Sequence, residues 1–412
     1  MEEIINNEKE RAILVGIMID NKDNETIEEL KELAKTAGAE VVGVITQNRF
    51  SIDKNYYIGK GKLDELKEYV KNMDIDLVIF NDELSGSQLK NIEDVIGVKV
   101  LDRTNLILDI FAMRAKSREG ILQVQLAQLK YRLPRLLGLG NELSRLGGGI
   151  GTRGPGETKL ETDRRHIRER IKSIEDKLKE IKKHRELQRE RRMKSEIPVV
   201  AIVGYTNAGK STLMNALTDS GVYVEDKLFA TLDPTARKLI LPSGREVIII
   251  DTVGFIRKLP HDLVEAFKST LEESKYADVL LHVIDITSKD MKDKIMVVEK
   301  VLRELGAADK PIINVYNKAD IVEFVPNNNG NNIYISAKKR WGFDDLLDAI
   351  DKVAYENLVI LDFYIPYEKE KQFIYLKRNS KIINEEYTEA GIKIKAQVGV
   401  VEKNILKDFI IS

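Results

Sequence analysis

The chain has 412 residues, of which 43% are hydrophobic and 32% charged, and it contains no cysteine. This length allows two to four folded domains, and the composition excludes disulfide bonds and thiolate metal sites. The N-terminal residues are acidic and the longest apolar runs are strand-sized, so we expect no signal peptide, no membrane span and a cytoplasmic location.

Residues 1–110 alternate short β-branched runs with amphipathic stretches. We predict strands for RAILVGIMI, AEVVGVIT, DLVIFND and VKVLD, and helices for TIEELKELAKTAG, KLDELKEYVKNM and SQLKNIEDVIG. Alternation of this kind is typical of a small parallel α/β sheet. We therefore predict an N-terminal α/β subdomain over 1–110.

Residues 111–194 carry two apolar seams with helical spacing. The first consists of Leu122, Leu126, Leu129, Leu133 and Leu136, and the second of Ile167, Ile171, Ile174, Leu178 and Ile181. Between them lies a glycine-rich run, 137–157, which we expect to end both helices. The segment therefore predicts an antiparallel two-helix arm with a flexible tip at 138–156.

The arm segment is also the basic part of the chain. It contains 23 Lys and Arg against 11 Asp and Glu, whereas the residues before and after it are acidic on balance. Such a segment either binds a polyanion or forms a solvated, salt-bridged helical face. Composition alone does not choose between these two readings.

Residues 198–355 contain six strand-like runs, and the remaining 356–412 form a shorter unit. The six runs are PVVAIVG, RKLILP, REVIIID, DVLLHVID, PIINVYN and NIYISA, with helical patterns between most of them. They predict a six-stranded, mostly parallel sheet. In 356–412, VILDFYIP and IKIKAQV flank a charged helix-like stretch, which predicts a small α+β domain. The fold class is therefore multidomain α/β.

A P-loop lies between the first of these strands and the helical run STLMNALT. Its sequence runs from Gly204 to Ser211, and its glycines let the backbone N–H groups converge on phosphates. Lys210 can place its charge on the β- and γ-phosphate oxygens, and the Ser211 hydroxyl can bind Mg²⁺. The motif indicates a nucleoside triphosphate but not the base.

The run DTVG ends the apolar strand VIIII about 40 residues later. Asp251 is placed to hold Mg²⁺ through water, and the N–H of Gly254 can reach the γ-phosphate. A first switch is expected between the two motifs, in FATLDPT, where a threonine hydroxyl can complete the metal shell. We choose Thr231 for this role, with Thr235 as the alternative. The predicted metal ligands are Ser211, Thr231 and Asp251, and the groups expected to act on the γ-phosphate are Lys210, Thr231 and Gly254.

Two further motifs identify the base as guanine. The Asp320 carboxylate in NKAD accepts the ring N–H and the exocyclic amine of guanine, a pairing that adenine cannot offer. Lys318 can lie along the base, and the N–H of Ala337 in SAK can reach the guanine carbonyl. All residues expected to bind GTP are Gly204, Tyr205, Thr206, Asn207, Ala208, Gly209, Lys210, Ser211, Thr212, Phe229, Ala230, Thr231, Asp251, Thr252, Val253, Gly254, Asn317, Lys318, Asp320, Ser336, Ala337 and Lys338.

Phe255 follows DTVG, at a position where several GTPases carry a glutamine that orients water. A phenyl ring cannot do so. We infer that the isolated protein hydrolyses GTP slowly and that a partner orders the water. The alternative is that another switch side chain already serves this purpose.

GYTNAGKSTL, FATLDPT, DTVGFI, LPHDLVEAFKSTLEE and GGIGTRGPGETKLETDRR together resemble the HflX family of translational GTPases, over roughly residues 10–355. The resemblance implies an N-terminal domain with a two-helix arm, a Ras-like G domain and a small C-terminal domain. It also implies binding of a monomer to the large ribosomal subunit near the peptidyl-transferase centre, dissociation of stalled or idle ribosomes, and ribosome-stimulated hydrolysis. Ribosomal RNA and proteins would then meet tip residues Arg145, Gly147, Gly148, Gly149 and Arg153.

Two other function classes remain open at this stage. One is a binding switch in which turnover is incidental. The other is a GTP-gated assembly or RNA-binding factor without splitting activity. A metabolic kinase is least favoured, because no second substrate site can be read from the sequence.

Overall fold

The computed structural model describes residues 9–19, 23–146, 155–193, 197–218, 228–229, 235–258, 273–356 and 359–411. Chain contacts divide them into two compact units. The first contains the described residues up to 179 together with 228–229 and 253–258, and the second contains the rest. No helix among the described residues is long and apolar enough to cross a membrane.

The first unit contains the predicted parallel sheet. Its four strands, in the order β2-β1-β3-β4, are β1 (Arg11–Met18), β2 (Glu40–Asn48), β3 (Leu77–Phe80) and β4 (Lys99–Asp102). The helices between them are α1 (Asp23–Thr36), α2 (Lys60–Asn72) and α3 (Gly86–Ile96). Helix α3 begins with a capping box between Ser85 and Gln88 and ends at Gly97, whose φ of 77° suits glycine. The predicted strand–helix alternation is confirmed.

Three helices follow: α4 (Arg103–Arg114), α5 (Arg118–Leu146) and α6 (Pro155–Met193). Helix α4 runs across the predicted domain boundary at residue 110. The prediction that the run 137–157 ends both helices is wrong in extent, because α5 continues to Leu146 and α6 begins at Pro155. Gly138 and Gly140 cost about 1 kcal/mol each in a helix, which weakens it without ending it, because the neighbouring Leu, Glu and Arg residues have high helix propensity. Residues 147–154 lie outside the described part of the chain.

The arm helix α5 is joined to the sheet at the end of β4. The Arg135 guanidinium donates to the Leu84 carbonyl (2.8 Å) and pairs with the buried Asp102 carboxylate (3.0 Å). It also stacks on Tyr131, 3.3 Å from the ring centroid. A Cβ on Gly86 would lie 2.7 Å from the Arg135 carbonyl oxygen, so only glycine permits this approach. Earlier on α5, Lys130 pairs with Glu175 of α6 at 2.9 Å.

The second unit contains the six-stranded sheet, in the order β10-β9-β8-β5-β7-β6 with only β6 antiparallel. The strands are β5 (Val199–Gly204), β6 (Thr235–Ile240), β7 (Glu246–Asp251), β8 (Val279–Asp285), β9 (Ile312–Asn317) and β10 (Asn332–Tyr334). The described helices are α7 (Lys210–Thr218), α8 (Met291–Glu304) and α9 (Phe343–Glu356). The carboxyl ends of β5, β7, β8 and β9 lie at one edge, where an open α/β sheet binds ligands.

The C-terminal residues form a three-stranded antiparallel sheet, ordered β11-β13-β12. It consists of β11 (Val359–Pro366), β12 (Lys381–Tyr387) and β13 (Gly391–Val398), with α10 (Glu370–Asn379) and α11 (Val400–Ile405). The sequence predicted β11 and β13 but not β12. KIINEEY lacks a clear apolar alternation because β12 is an edge strand, in which Ile383 and Tyr387 are exposed.

Candidate nucleotide site

The P-loop joins β5 to α7 and requires glycine at two positions. Gly204 has a φ of 153°, and a Cβ there would lie 2.3 Å from the Val283 carbonyl oxygen. Gly209 has a φ of 93°, and its Cβ would lie 2.2 Å from Asn317 Nδ2. No side chain fits at such distances. The loop therefore brings bare backbone against β8 and β9 and curves as a phosphate-binding loop does.

Lys210, the first residue of α7, is 7% exposed and donates to the Tyr205 carbonyl at 2.8 Å. Burial lowers the pKa of Lys210 to about 8, and the nearby Asp251 carboxylate partly opposes this shift. A buried ammonium with one neutral acceptor is poorly stabilised, and phosphate oxygens would supply the missing negative charge. Lys210 therefore fits the role of a phosphate-binding lysine.

Two side chains at the strand ends form a candidate magnesium site. Ser211 Oγ donates to Asp251 Oδ2 at 2.9 Å, and Asp251 is 2% exposed at the end of β7. The next residue, Thr252, donates its hydroxyl to the Ile202 carbonyl at 2.7 Å, which fixes the exit of β7 against β5. The described residues contain no group of three or more His, Cys, Asp or Glu that could hold a metal. One hydroxyl and one carboxylate suit Mg²⁺, which in nucleotide sites takes its other ligands from phosphates and water.

Asn317 connects the P-loop with the SAK loop. Its Nδ2 donates to the Ala208 carbonyl and its Oδ1 accepts from the Ala337 N–H, both at 2.9 Å. The side chain thus braces two loops. The predicted contact of Ala337 with guanine would require its N–H to leave Asn317 or to be shared with it.

The base-recognition residues lie beside a second acidic group that the sequence analysis missed. Lys318 has a φ of 65°, and its ammonium pairs with Asp285 at the end of β8, 2.7 Å away. A hydrogen bond from Ser336, and further contacts with Lys339, lower the pKa of the Asp320 carboxyl. Asp320 is therefore ionised at neutral pH, as recognition of guanine requires. Asp285 could have been found from its position, because it ends a buried strand next to β9.

The switch residues differ in where the structure places them. Phe229 packs its ring edge-on against Phe111 of α4 (centroids 4.7 Å apart) within the first unit, where Val253, Gly254 and Phe255 also belong. The alternative Thr235 opens β6 opposite Asp251, so it is fixed in a ladder.

Several predicted residues lie outside the described part of the chain. In the first switch these are Ala230 and Thr231, and in the tip they are Gly147, Gly148, Gly149 and Arg153. Arg145 lies on α5, near its end.

Comparison with known proteins agrees with this site. Residues 24–112 match the family described as GTP-binding GTPase N-terminal, 114–192 match GTP-binding GTPase Middle Region, and 199–318 match 50S ribosome-binding GTPase. GTPase HflX of Caldanaerobacter subterraneus is 67% identical over the whole chain and 96% of its own length. GTPase HflX of Escherichia coli is 46% identical over 83% of this chain and 82% of its own.

Among solved structures, the complex of SsGBP with GDP is similar to this chain, with a TM-score of 0.51 and 29% identity. It covers 85% of this chain and 99% of its own. The relative from Caldanaerobacter subterraneus spans the arm and all three sheets, and the nucleotide motifs stand at the ends of the strands that a G domain uses. The chain therefore belongs to the HflX family of GTPases, and it hydrolyses GTP.

Proposed function

We propose that this GTPase binds the large ribosomal subunit near the peptidyl-transferase centre and dissociates stalled or idle ribosomes, with hydrolysis stimulated by the ribosome. The observation that carries the proposal is the arm, two long helices of which α6 exposes at least six cations to solvent. The match of residues 199–318 to a family described as 50S ribosome-binding supports the same partner. We also propose a cytoplasmic monomer as the working form.

The arm has the shape and charge to reach a polyanion. Helix α5 has 29 residues, so it extends about 44 Å. On α6 the predicted seam is buried or half-buried, whereas six cations next to it are exposed, namely Arg165, Arg168, Arg170, Lys172, Lys177 and Lys179. Charges facing outward in this way would neutralise RNA phosphates and release counterions. Of the two readings that composition left open, this one explains why cations outnumber anions so strongly.

The nucleotide residues take the following roles in the proposal. Lys210 binds the β- and γ-phosphates, and Ser211 and Asp251 hold Mg²⁺ with the predicted Thr231. The metal, when bound, neutralises charge that develops on the phosphate oxygens. The N–H of Gly254 holds the γ-phosphate in place. Asp320 and Lys318 select guanine.

A slow intrinsic rate follows from the position after Gly254. Phe255 is 2% exposed and offers no polar group. Arginine and lysine follow at 257 and 258, and both form ion pairs with carboxylates of the N-terminal sheet domain. Ordering of the attacking water therefore falls to a partner, and in this proposal the partner is the ribosome.

Two experiments test the proposal in sequence. In the first, purified 50S subunits are sedimented with the protein in the presence of a non-hydrolysable GTP analogue or of GDP. In the second, 70S ribosomes are treated with the protein and GTP and resolved on sucrose gradients. We expect co-sedimentation with the analogue and conversion of 70S ribosomes to subunits. Absence of co-sedimentation would contradict the ribosome assignment, whereas binding without dissociation would favour a GTP-gated assembly or RNA-binding switch.

A matched pair of variants locates the interaction. The triple variant Arg168→Glu, Arg170→Glu and Lys172→Glu reverses three exposed charges on α6. It should lower affinity for 50S subunits at least tenfold and reduce its salt dependence, because each lost phosphate contact lowers the log–log slope by about 0.7–0.9. The control reverses three exposed lysines of the C-terminal sheet domain, at Lys371, Lys393 and Lys395. Equal losses in both variants would mean that net charge, and not the arm, determines binding.

A further inference from the structure

A cluster of buried polar contacts lies at the carboxyl end of the N-terminal sheet, outside the nucleotide motifs. Arg103, the first residue of α4, is 2% exposed. Its guanidinium donates to Asn81 Oδ1 at 3.0 Å and to the Thr26 carbonyl at 3.3 Å, and it forms an ion pair with Glu29. Its remaining partner is the backbone carbonyl of Arg257, at 3.2 Å. One side chain therefore fixes three parts of the sheet domain to a segment 154 residues away in sequence.

The side chains of the same segment are held as well. Arg257 donates to Glu25 of α1 at 2.6 Å, and Lys258 pairs with Asp82 at the end of β3. Lys258 has a φ of 52°, a conformation that a lysine keeps only where its surroundings impose it. All these residues belong to the first unit. The backbone at 257–258 is therefore tied at three points.

These ties lie directly after the DTVG motif. Arg257 is three residues beyond Gly254, and the intervening Phe255 and Ile256 are 2% and 3% exposed. Fixing the chain at 257 restricts the backbone conformations open to Gly254. A contact from Gly254 to phosphate then costs less conformational entropy, because part of that entropy is already lost in the folded chain.

We propose that Arg103 is a positioning residue for the GTPase reaction, which acts through the Arg257 carbonyl to restrict the backbone of Gly254. This rests on the role of Gly254 in the proposed function. GDP has no γ-phosphate, so the positioning raises affinity for GTP and leaves affinity for GDP unchanged. Ordering the backbone of one residue corresponds to about a tenfold change in affinity.

The test measures the ratio of affinities for a non-hydrolysable GTP analogue and for GDP in the full-length protein. Arg103→Met should lower this ratio about tenfold with GDP affinity within twofold of wild type. Because this change removes a buried group and could impair folding, the half-exposed ion pair provides a second route. Glu25→Lys and Arg257→Glu should each lower the ratio about threefold, and the double exchange should restore it. Glu32→Lys reverses a charge on the same helix, where Glu32 pairs with Lys35, and should change nothing.

The outcomes distinguish an error in the role of Gly254 from an error in the role of Arg103. If Gly254→Pro, which removes the N–H, leaves the ratio unchanged, the assigned role of Gly254 is wrong. If Gly254→Pro lowers the ratio but Arg103→Met, Glu25→Lys and Arg257→Glu behave like Glu32→Lys, the positioning role of Arg103 is overturned. A purely structural role would lower the unfolding temperature and affect both nucleotides equally, and the double exchange would not restore the ratio.

Discussion

Replacing Gly209 by alanine tests whether the close approach between the P-loop and Asn317 maintains the GTP site. The new Cβ would lie 2.2 Å from Asn317 Nδ2 on a backbone whose φ is 93°. Either the loop or the asparagine has to move. Movement of Asn317 breaks its hydrogen bonds to Ala208 and Ala337.

The magnitude follows from these two effects. A side chain at this positive φ costs about 1–2 kcal/mol. Loss of the two hydrogen bonds, each about 1 kcal/mol, adds a similar amount. Since the affected loops are those that bind phosphate and base, the strain should weaken GTP binding by about two to three orders of magnitude.

The assay is titration with fluorescent GTP and GDP, together with thermal unfolding. Gly244→Ala serves as the control, because Gly244 also has a positive φ (81°) but its Cβ would meet no atom within 4 Å. It should lose stability and keep GTP affinity. Binding by Gly209→Ala within threefold of wild type would refute the reasoning, and so would equal loss of affinity in the two variants.

Three further outcomes are expected. GTP affinity should fall as pH rises above about 8, since phosphate binding favours charged Lys210. The depressed pKa lowers the stability of the free chain at pH values below about 8, and this loss shrinks as pH rises toward 10.5, because the unfolded chain binds more protons than the folded chain in that range. Nucleotide titrations at a series of pH values measure the affinity. The variant Lys210→Met should bind GTP poorly, with an affinity that does not change over this pH range. Asp320→Asn should lower GTP affinity about a hundredfold with little change in unfolding temperature, and unchanged affinity would contradict guanine recognition by this carboxylate. Deleting 140–152 should spare basal turnover and weaken ribosome dissociation on gradients; equal loss of both would show a structural role.

Local patterns in the sequence predicted most of the fold. The β-branched runs and glycine stops predicted β1–β4 and the six strands of the second unit, and the apolar signal is strongest in central strands such as β5 and β8, which are buried on both faces. Strand β12 gave no such signal, since an edge strand with polar residues buries little. Helix α5 passes Gly138 and Gly140, so the cost of two glycines, about 1 kcal/mol each, did not end the helix there.

Motif chemistry identified the nucleotide residues but not how they are supported. NKAD predicts recognition of guanine, yet nothing local shows that Asn317 braces the P-loop and SAK loops. The same holds for Asp285 behind Lys318. The contact from Arg103 to Arg257 spans 154 residues, and no periodicity or motif connects the two positions. Such contacts follow from the tertiary fold, which a single sequence does not specify residue by residue.

Asp102 and Arg103 are consecutive, yet they hold different parts of the molecule. Asp102 anchors the arm through Arg135, and Arg103 anchors the segment that follows DTVG. The two residues share one rigid peptide plane, with Cα atoms about 3.8 Å apart, so their backbones move together. Displacement of the arm at Arg135 would therefore act on the segment that Arg103 holds. If the nucleotide fixes Gly254 as we propose, thermodynamic reciprocity would also restrict the part of the arm around Arg135. The junction of β4 and α4 therefore carries both contacts, that of Asp102 with the arm and that of Arg103 with the segment after DTVG.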